Sequence, residues 1–302
     1  MNGIPKIFII GAYGKAVYMS VPDFHKMGES VIESSEAVCE IGCSGVVRAV
    51  TAKRLGYMAE LLCLTGDEDV DNIETFLSRK GIVAHIVQFP GQMCSVKTVV
   101  VDKYNDVKAT IFKGGPGQIS RREVLAFEED IRSCSALLLD CELQSDAMYM
   151  AVEIAKRGDA KIILTHDGTY SLDKEILDKL WLLMIEERDV RKMLRIRGGA
   201  EPSDIAFGLM RLGIKKAVVL LDSREVMSFE NDEVSLIRIS PSQTAVKAGI
   251  LDILSAAIAV RACEENKLSE CIKYGCAAIA VNSGKSGVLE AIPYKNEVRQ
   301  KL

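Results

Sequence analysis

Gly249-Ile250-Leu251-Asp252 is the stretch of this chain best suited to chemistry. A glycine stands where a small-residue apolar helix begins, and an acid follows three residues on. The first backbone N–H groups of a helix have no intrahelical partners and point at an incoming anion. A carboxylate beside them can take a proton from an attacking hydroxyl. Gly249, Ile250 and Leu251 are therefore a candidate anion hole, and Asp252 a candidate base. The same pattern also suits a plain helix start whose first-turn acid is favoured by the helix dipole.

The surrounding sequence organises the rest of the chain. Ala248 to about Cys263 reads as one apolar helix, Glu264 to Lys267 as a polar turn, and Leu268 to Val281 as a second apolar helix. Ahead of them, buried-strand patterns at Lys6–Ile10, Ala59–Thr65, Ile82–Phe89, 136–140, 161–165, 181–185 and 216–221 alternate with helical ones at βαβ spacing. The helical patterns run 46–55, 71–80, 121–131, 145–157, 172–180, 187–195 and 202–212. This predicts an α/β fold in one domain over 1–302, with a mainly parallel sheet and helices on both faces. Two mixed, turn-rich stretches, at about 12–40 and 91–113, predict a small β-sheet lid; the second reads as a hairpin turning at Tyr104-Asn105-Asp106. Lys113 to Gly117 reads as the hinge between the two patterns.

Composition narrows the partners. The 302 residues carry a net charge of −4 and show no basic run with interleaved aromatics, so no nucleic-acid partner is expected. The apolar run before Gly11 is too short for a signal peptide or a membrane span, and no membrane partner is expected. Nine cysteines at irregular spacing, mostly inside apolar runs, fit reduced, buried thiols in a cytoplasmic protein. The three histidines lie near no cysteine pair, which argues against a zinc site. Gly11-Ala-Tyr-Gly14 lacks the GxGxxG spacing of a dinucleotide loop. Gly284-Lys285-Ser286 lacks the earlier glycine of a Walker A loop, because position 279 is Ile279.

In order and spacing the chain resembles the ribokinase-like, or PfkB, family of carbohydrate kinases. Met27-Gly28-Glu29-Ser30 resembles the lid motif PGE(T/S). Gly42-Cys43-Ser44-Gly45 with Val46–Gly56 resembles GGxGAN…ARLG. Leu64–Asp69 is similar to xGxVGDD, and Gly249–Asp252 stands where GAGD stands. Leu182–Leu194 occupies the place of NxxE, Leu220–Val226 that of TxGxxG, and Pro293, Glu297 and Val298 that of PxxxEV. The resemblance implies a β-lid over a sugar site and transfer of the ATP γ-phosphate to a hydroxyl with Mg2+. It implies substrate contacts at Gly42, Cys43 and Ser44, and nucleotide contacts at Asp222 and Cys276. It also implies magnesium held through water by Glu186 and Asp189, with Glu187 beside them. A homodimer through the lid sheet is expected, with Val96, Val99 and Val101 near an edge.

Departures from the motifs are expected to matter. The family's early sugar-binding Asn and Asp fall at Gly14 and Ala16, and the Asn of GGxGAN at Val47. The NxxE positions hold Glu186 and Asp189, and TxGxxG becomes Leu220-Leu-Asp-Ser-Arg-Glu225 without its glycines. Ile250 and Leu251 place branched chains beside the anion hole. Two functions remain open: a divergent kinase of a sugar or other small polyol, and a non-catalytic relative that binds a ligand or a protein partner. The retained Asp252 favours the first, and the lost glycines and Asn/Asp pair favour the second.

Overall fold

A computed structural model describes residues 4–23, 33–66, 70–104, 107–112, 114, 119–140, 143–169, 171–222, 225–231, 233–239, 249–265, 267–281 and 287–302. The lid stretch at 27–30, the acids at 67–69, the Walker-like 284–286 and most of the 113–117 hinge lie outside the described residues.

The strand runs rich in Ile, Leu and Val build a nine-stranded sheet. Its chain-order members are β1 (Lys6–Ile10), β4 (Met58–Thr65), β5 (Val83–Gln88), β8 (Ala136–Asp140), β9 (Lys161–His166), β10 (Leu182–Glu186), β11 (Lys216–Leu220), β12 (Glu225–Glu230) and β13 (Glu233–Arg238). The spatial order is β13-β12-β11-β10-β9-β8-β1-β4-β5. All neighbours pair in parallel except β11 with β12 and β12 with β13. Continuous apolar strands need cover on both faces. One face is covered by α1 (Ser44–Arg54), α2 (Val70–Arg79), α9 (Ile250–Ala262) and α10 (Leu268–Val281). The other is covered by α3 (Arg121–Ala126), α4 (Glu128–Arg132), α5 (Ser145–Arg157), α6 (Lys174–Leu177), α7 (Glu187–Met193) and α8 (Pro202–Arg211).

From β1 the chain runs outward to β4 and β5 on one side, and from β8 through β9 to β11 on the other. The order reverses between β1 and β8. In open α/β sheets, the crevice beyond the carboxyl ends at such a reversal is where ligands bind.

The lid is a separate sheet in the order β3-β2-β6-β7, from β2 (Gly14–Val21), β3 (Glu36–Gly42), β6 (Ser95–Asp102) and β7 (Val107–Phe112). The hairpin at β6 and β7 matches the expected one. The expected edge does not: β6 is paired on both sides, with β2 and β7, and Val99 is fully buried. The strands at the sheet's edges are β3 and β7, so Val96, Val99 and Val101 offer no free backbone for pairing with a second chain.

Two helices differ from the periodicity. The 121–131 pattern breaks at Phe127, whose φ of −117° and ψ of 29° leave the helical region while its ring packs on His85, centroids 4.5 Å apart. The 172–180 pattern keeps only the four residues of α6. Trp181 N donates to Ile162 O at 2.8 Å to start β10 beside β9, and this forces the chain out of the helix.

Candidate active site

Asp252 lies in the first turn of α9. Gly249 caps that helix in the left-handed region, at φ 78°, where a side chain is disfavoured and would also meet Val288 Cγ1 at 2.7 Å. The first intrahelical bond runs from Ile253 N to Gly249 O at 3.0 Å, so the N–H groups of Ile250, Leu251 and Asp252 have no partner within the helix. Leu251 is buried in the core, and Ile250 packs against the same core. The core therefore takes up the two branched side chains flanking the anion hole.

The Asp252 side chain keeps 17% of its surface exposed, and Arg48 holds it from below. Arg48 comes from the middle of α1 and is only 1% exposed. Its Nη2 and Nε both donate to Asp252 Oδ1, at 2.8 and 3.0 Å. Its Nη1 lies 3.7 Å from Asp140 Oδ2, which accepts the Ser44 hydroxyl at 2.7 Å. Asp140 ends β8, and Gly45 N, at the start of α1, donates to Ala12 O just beyond β1 at 3.0 Å. Ser44, Asp140, Arg48 and Asp252 thus form one chain of charge across the crevice at the strand-order reversal.

The lid closes over this chain. Ala16 is opposite both Glu40 and Lys97 in the register, so the three share the lid's inner face with Tyr18. Burial pushes the Tyr18 hydroxyl well above its ordinary range, with Glu40, Cys43 and Asp252 adding to the effect. Cys43 leads into α1 at φ 74° and ψ 171°, a region that is almost exclusively glycine's. It stands at the second position of the GGxG-like motif, so the backbone has kept the glycine conformation without the glycine. Gly42 is buried beside Ala16.

Glu40 ties the lid to the chain's end. Its Oε1 accepts from Val288 N at 2.9 Å and Leu289 N at 3.4 Å, at the start of α11 (Val288–Ala291). Burial raises its carboxyl pKa, and Glu290 adds to this against the two N–H bonds. A carboxyl whose pKa rises on folding adds stability below the ordinary carboxylate range, and that contribution is lost as pH climbs through the folded value. Glu40→Gln copies the protonated form and keeps an acceptor oxygen. We expect the melting temperature of Glu40→Gln, relative to the wild type, to be higher at about pH 7 than at about pH 4. A difference that does not change between the two, read by calorimetry, would count against this coupling.

The acids after β10 are differently placed. Asp189 is only 9% exposed and accepts Lys192 Nζ at 2.8 Å and Arg188 Nε at 3.4 Å. Glu187 pairs with Arg191 and accepts Asp222 N at 2.9 Å. These partners neutralise both carboxylates. Glu186, with 41% of its side-chain surface open, is held by Arg188 at 3.4 Å. Its pKa is raised by desolvation and by the charges of Asp189 and Asp252, with Arg188 and Lys97 opposing. Glu186, Asp252 and the lid's Lys97 therefore sense one another across the cleft. Asp222 is exposed at the end of β11. Cys276 is buried in α10, its thiol pushed up to about 12 by burial, so it offers packing surface rather than charge.

Among the described residues, the His, Cys, Asp and Glu grouping tight enough for a metal is Glu60, His85 and Asp130. Lys6 Nζ already lies 3.3 Å from Glu60 and 3.5 Å from Asp130. The described cysteines are free thiols. Among the described residues no helix is long and apolar enough to cross a membrane.

Comparison with known proteins agrees with this fold. The profile of the pfkB family carbohydrate kinase matches residues 6–294. The chain belongs to the pfkB family of carbohydrate kinases. A ribokinase of Haemophilus influenzae is 23% identical over 298 residues, covering 97% of each chain. The structure of ribokinase from Giardia lamblia superposes with a TM-score of 0.85 at 18% identity, covering 99% of this chain and all of that one. Arabidopsis thaliana ribokinase, solved in complex with ribose and ATP, gives 0.80 at 18% identity, covering 99% of this chain and 98% of that one.

Of the residues singled out by sequence, the family fold brings Ser44, Asp252 and Glu186 to one cleft, with Gly249–Leu251 at its helix end. Sequence reading missed Arg48, Asp140, Tyr18, Glu40 and Lys97. Two of them had a signal. An arginine inside Val46-Val47-Arg48-Ala49-Val50 is a cation on an otherwise apolar turn, and Asp140 ends a run of four buried residues.

Proposed function

We propose that this pfkB-family chain transfers the γ-phosphate of ATP to a hydroxyl of a small polyhydroxylated substrate held under the lid. The observation that carries the reading is Asp252. It is fixed at Oδ1 by Arg48, partly open to the cleft, and set in the first turn of a 13-residue helix whose leading N–H groups have no partner within the helix.

The residues present fit a triphosphate tail and its metal. The left-handed Gly249 turn begins the helix so that the N–H groups of Ile250 and Leu251, without intrahelical partners, can receive an anion. Glu186, half open and crowded by Asp189 and Asp252, is an acid whose charge a magnesium ion held through water would relieve. When bound, the magnesium nucleotide supplies a γ-phosphoryl group whose bond to the bridging oxygen breaks with the electron pair leaving on the diphosphate. Asp252 accepts the hydroxyl proton as that oxygen bonds to phosphorus. The α9 N–H groups face the charge on the transferring group and need no reorganisation. Ser44 and Asp140 present a hydroxyl and a carboxylate that can orient a polyol. The lid's inner face, with Tyr18 and Lys97, excludes water.

A nucleotide that binds only the folded protein must raise its stability, by about 2.7 kcal/mol at 100 times its dissociation constant. We expect a magnesium-dependent rise in the melting temperature with millimolar ATP or ADP. No rise at saturating nucleotide would overturn the kinase reading. It would favour a non-catalytic ligand-binding member, a reading supported by Gly14 and Ala16 at the sugar-binding positions.

A further inference from the structure

We propose that Arg48 is a positioning residue for Asp252: it saturates one carboxylate oxygen so that the other is aimed at the acceptor hydroxyl. The inference rests on the phosphotransfer reading above.

A guanidinium that is 1% exposed has given up its water and must be repaid by well-placed anions. Arg48 places two donors on a single atom, Asp252 Oδ1. Among the described residues, none donates a hydrogen bond to Oδ2. A planar fork that grips one oxygen fixes both the rotamer of the aspartate and the plane of its carboxylate. The third guanidinium nitrogen, Nη1, has no hydrogen-bond partner among the described residues and lies 3.7 Å from Asp140 Oδ2. Asp140 in turn is fixed by Ser44. The arginine thus spans the two sides of the cleft. It links the start of α9, where the phosphoryl group is received, to the end of β8, where the acceptor would lie. Buried beneath both, it touches neither substrate and acts only through Asp252 and Asp140.

A lysine cannot substitute for this grip, because an ammonium is a point charge on a flexible stem. Arg48→Lys keeps the charge and loses the two-point hold. If positioning is the role, Arg48→Lys lowers kcat by about 10- to 100-fold while the KM values for nucleotide and acceptor stay within about threefold, as a base displaced by about 1 Å would give. The cycle with Asp252→Asn decides the cause. Once Asp252 is no longer a base, Arg48→Lys should cost nothing further in kcat. Should Arg48→Lys fail to fold, Arg48→Gln, which keeps a planar donor without the charge, takes its place in the same cycle.

An unchanged kcat in Arg48→Lys, or the same fall with and without Asp252, overturns this inference and leaves the kinase reading intact. Absence of wild-type turnover with every sugar, nucleoside and polyol offered overturns the kinase reading and this inference together.

Discussion

Asp252→Asn is expected to lower kcat by about 100- to 10,000-fold, the range that a positioned general base contributes. The KM values for nucleotide and acceptor should change little. The asparagine oxygen can still accept from Arg48 Nη2 and Nε, so the substitution removes proton affinity without emptying the site. Asp252→Ala is a harsher test of a different property. It leaves a guanidinium that is 1% exposed with only the 3.7 Å approach to Asp140, and breaking a buried pair by removing one partner costs about 3–5 kcal/mol. Steady-state kinetics on Asp252→Asn, with the melting temperature measured on the same preparation, separates the two effects. A kcat within about threefold of wild type in a folded Asp252→Asn would remove the base from the mechanism and with it the proposed function.

The parts of this site that the sequence made legible are those whose cause is local. Gly249 followed by a small apolar helix marks a helix start, because cap geometry and apolar spacing are written within a few residues. The structure places that start at Ile250 and the left-handed turn at Gly249 itself. The same holds for the central sheet, since buried parallel strands must be apolar wherever they lie. Arg48 was not legible. Its partner is 204 residues away, and an arginine in a helix reads as surface until the fold places α9 across it. Which of the acids after β10 stays open was not legible for a related reason. Their cations, Arg188, Arg191 and Lys192, stand on the same helix turns, yet sequence spacing alone does not say which carboxylate remains open. The lid edge was misjudged because alternation fixes the face a residue occupies and not the order in which strands pair. Val99 alternates correctly but lies in an inner strand.

Gly14 shows how a departure from a family motif is set by backbone rather than by substrate, and it yields the second large prediction. Its place holds an asparagine in the family's motif, so restoring Asn would be the natural way to rebuild a sugar contact. The lid's register forbids it. β2 and β6 pair in parallel with Gly14 beside Ser95, and a Cβ on Gly14 would stand 2.2 Å from the Ser95 carbonyl oxygen and 2.8 Å from its carbon. These are main-chain atoms in an inner strand, and they cannot move aside as a flexible side chain can. Gly14→Asn must therefore part β2 from β6 at the mouth of the cleft, where Gly14 also faces Gly42. We expect it to destabilise the protein by about 3 kcal/mol, the upper end of what forced overpacking costs, and to weaken acceptor binding rather than strengthen it. Urea unfolding and the acceptor KM measure the two effects separately. A stable Gly14→Asn with a lower KM for a sugar would mean that the strands separate readily, and that the missing asparagine, not the missing space, is what sets this chain apart from its sugar-binding relatives.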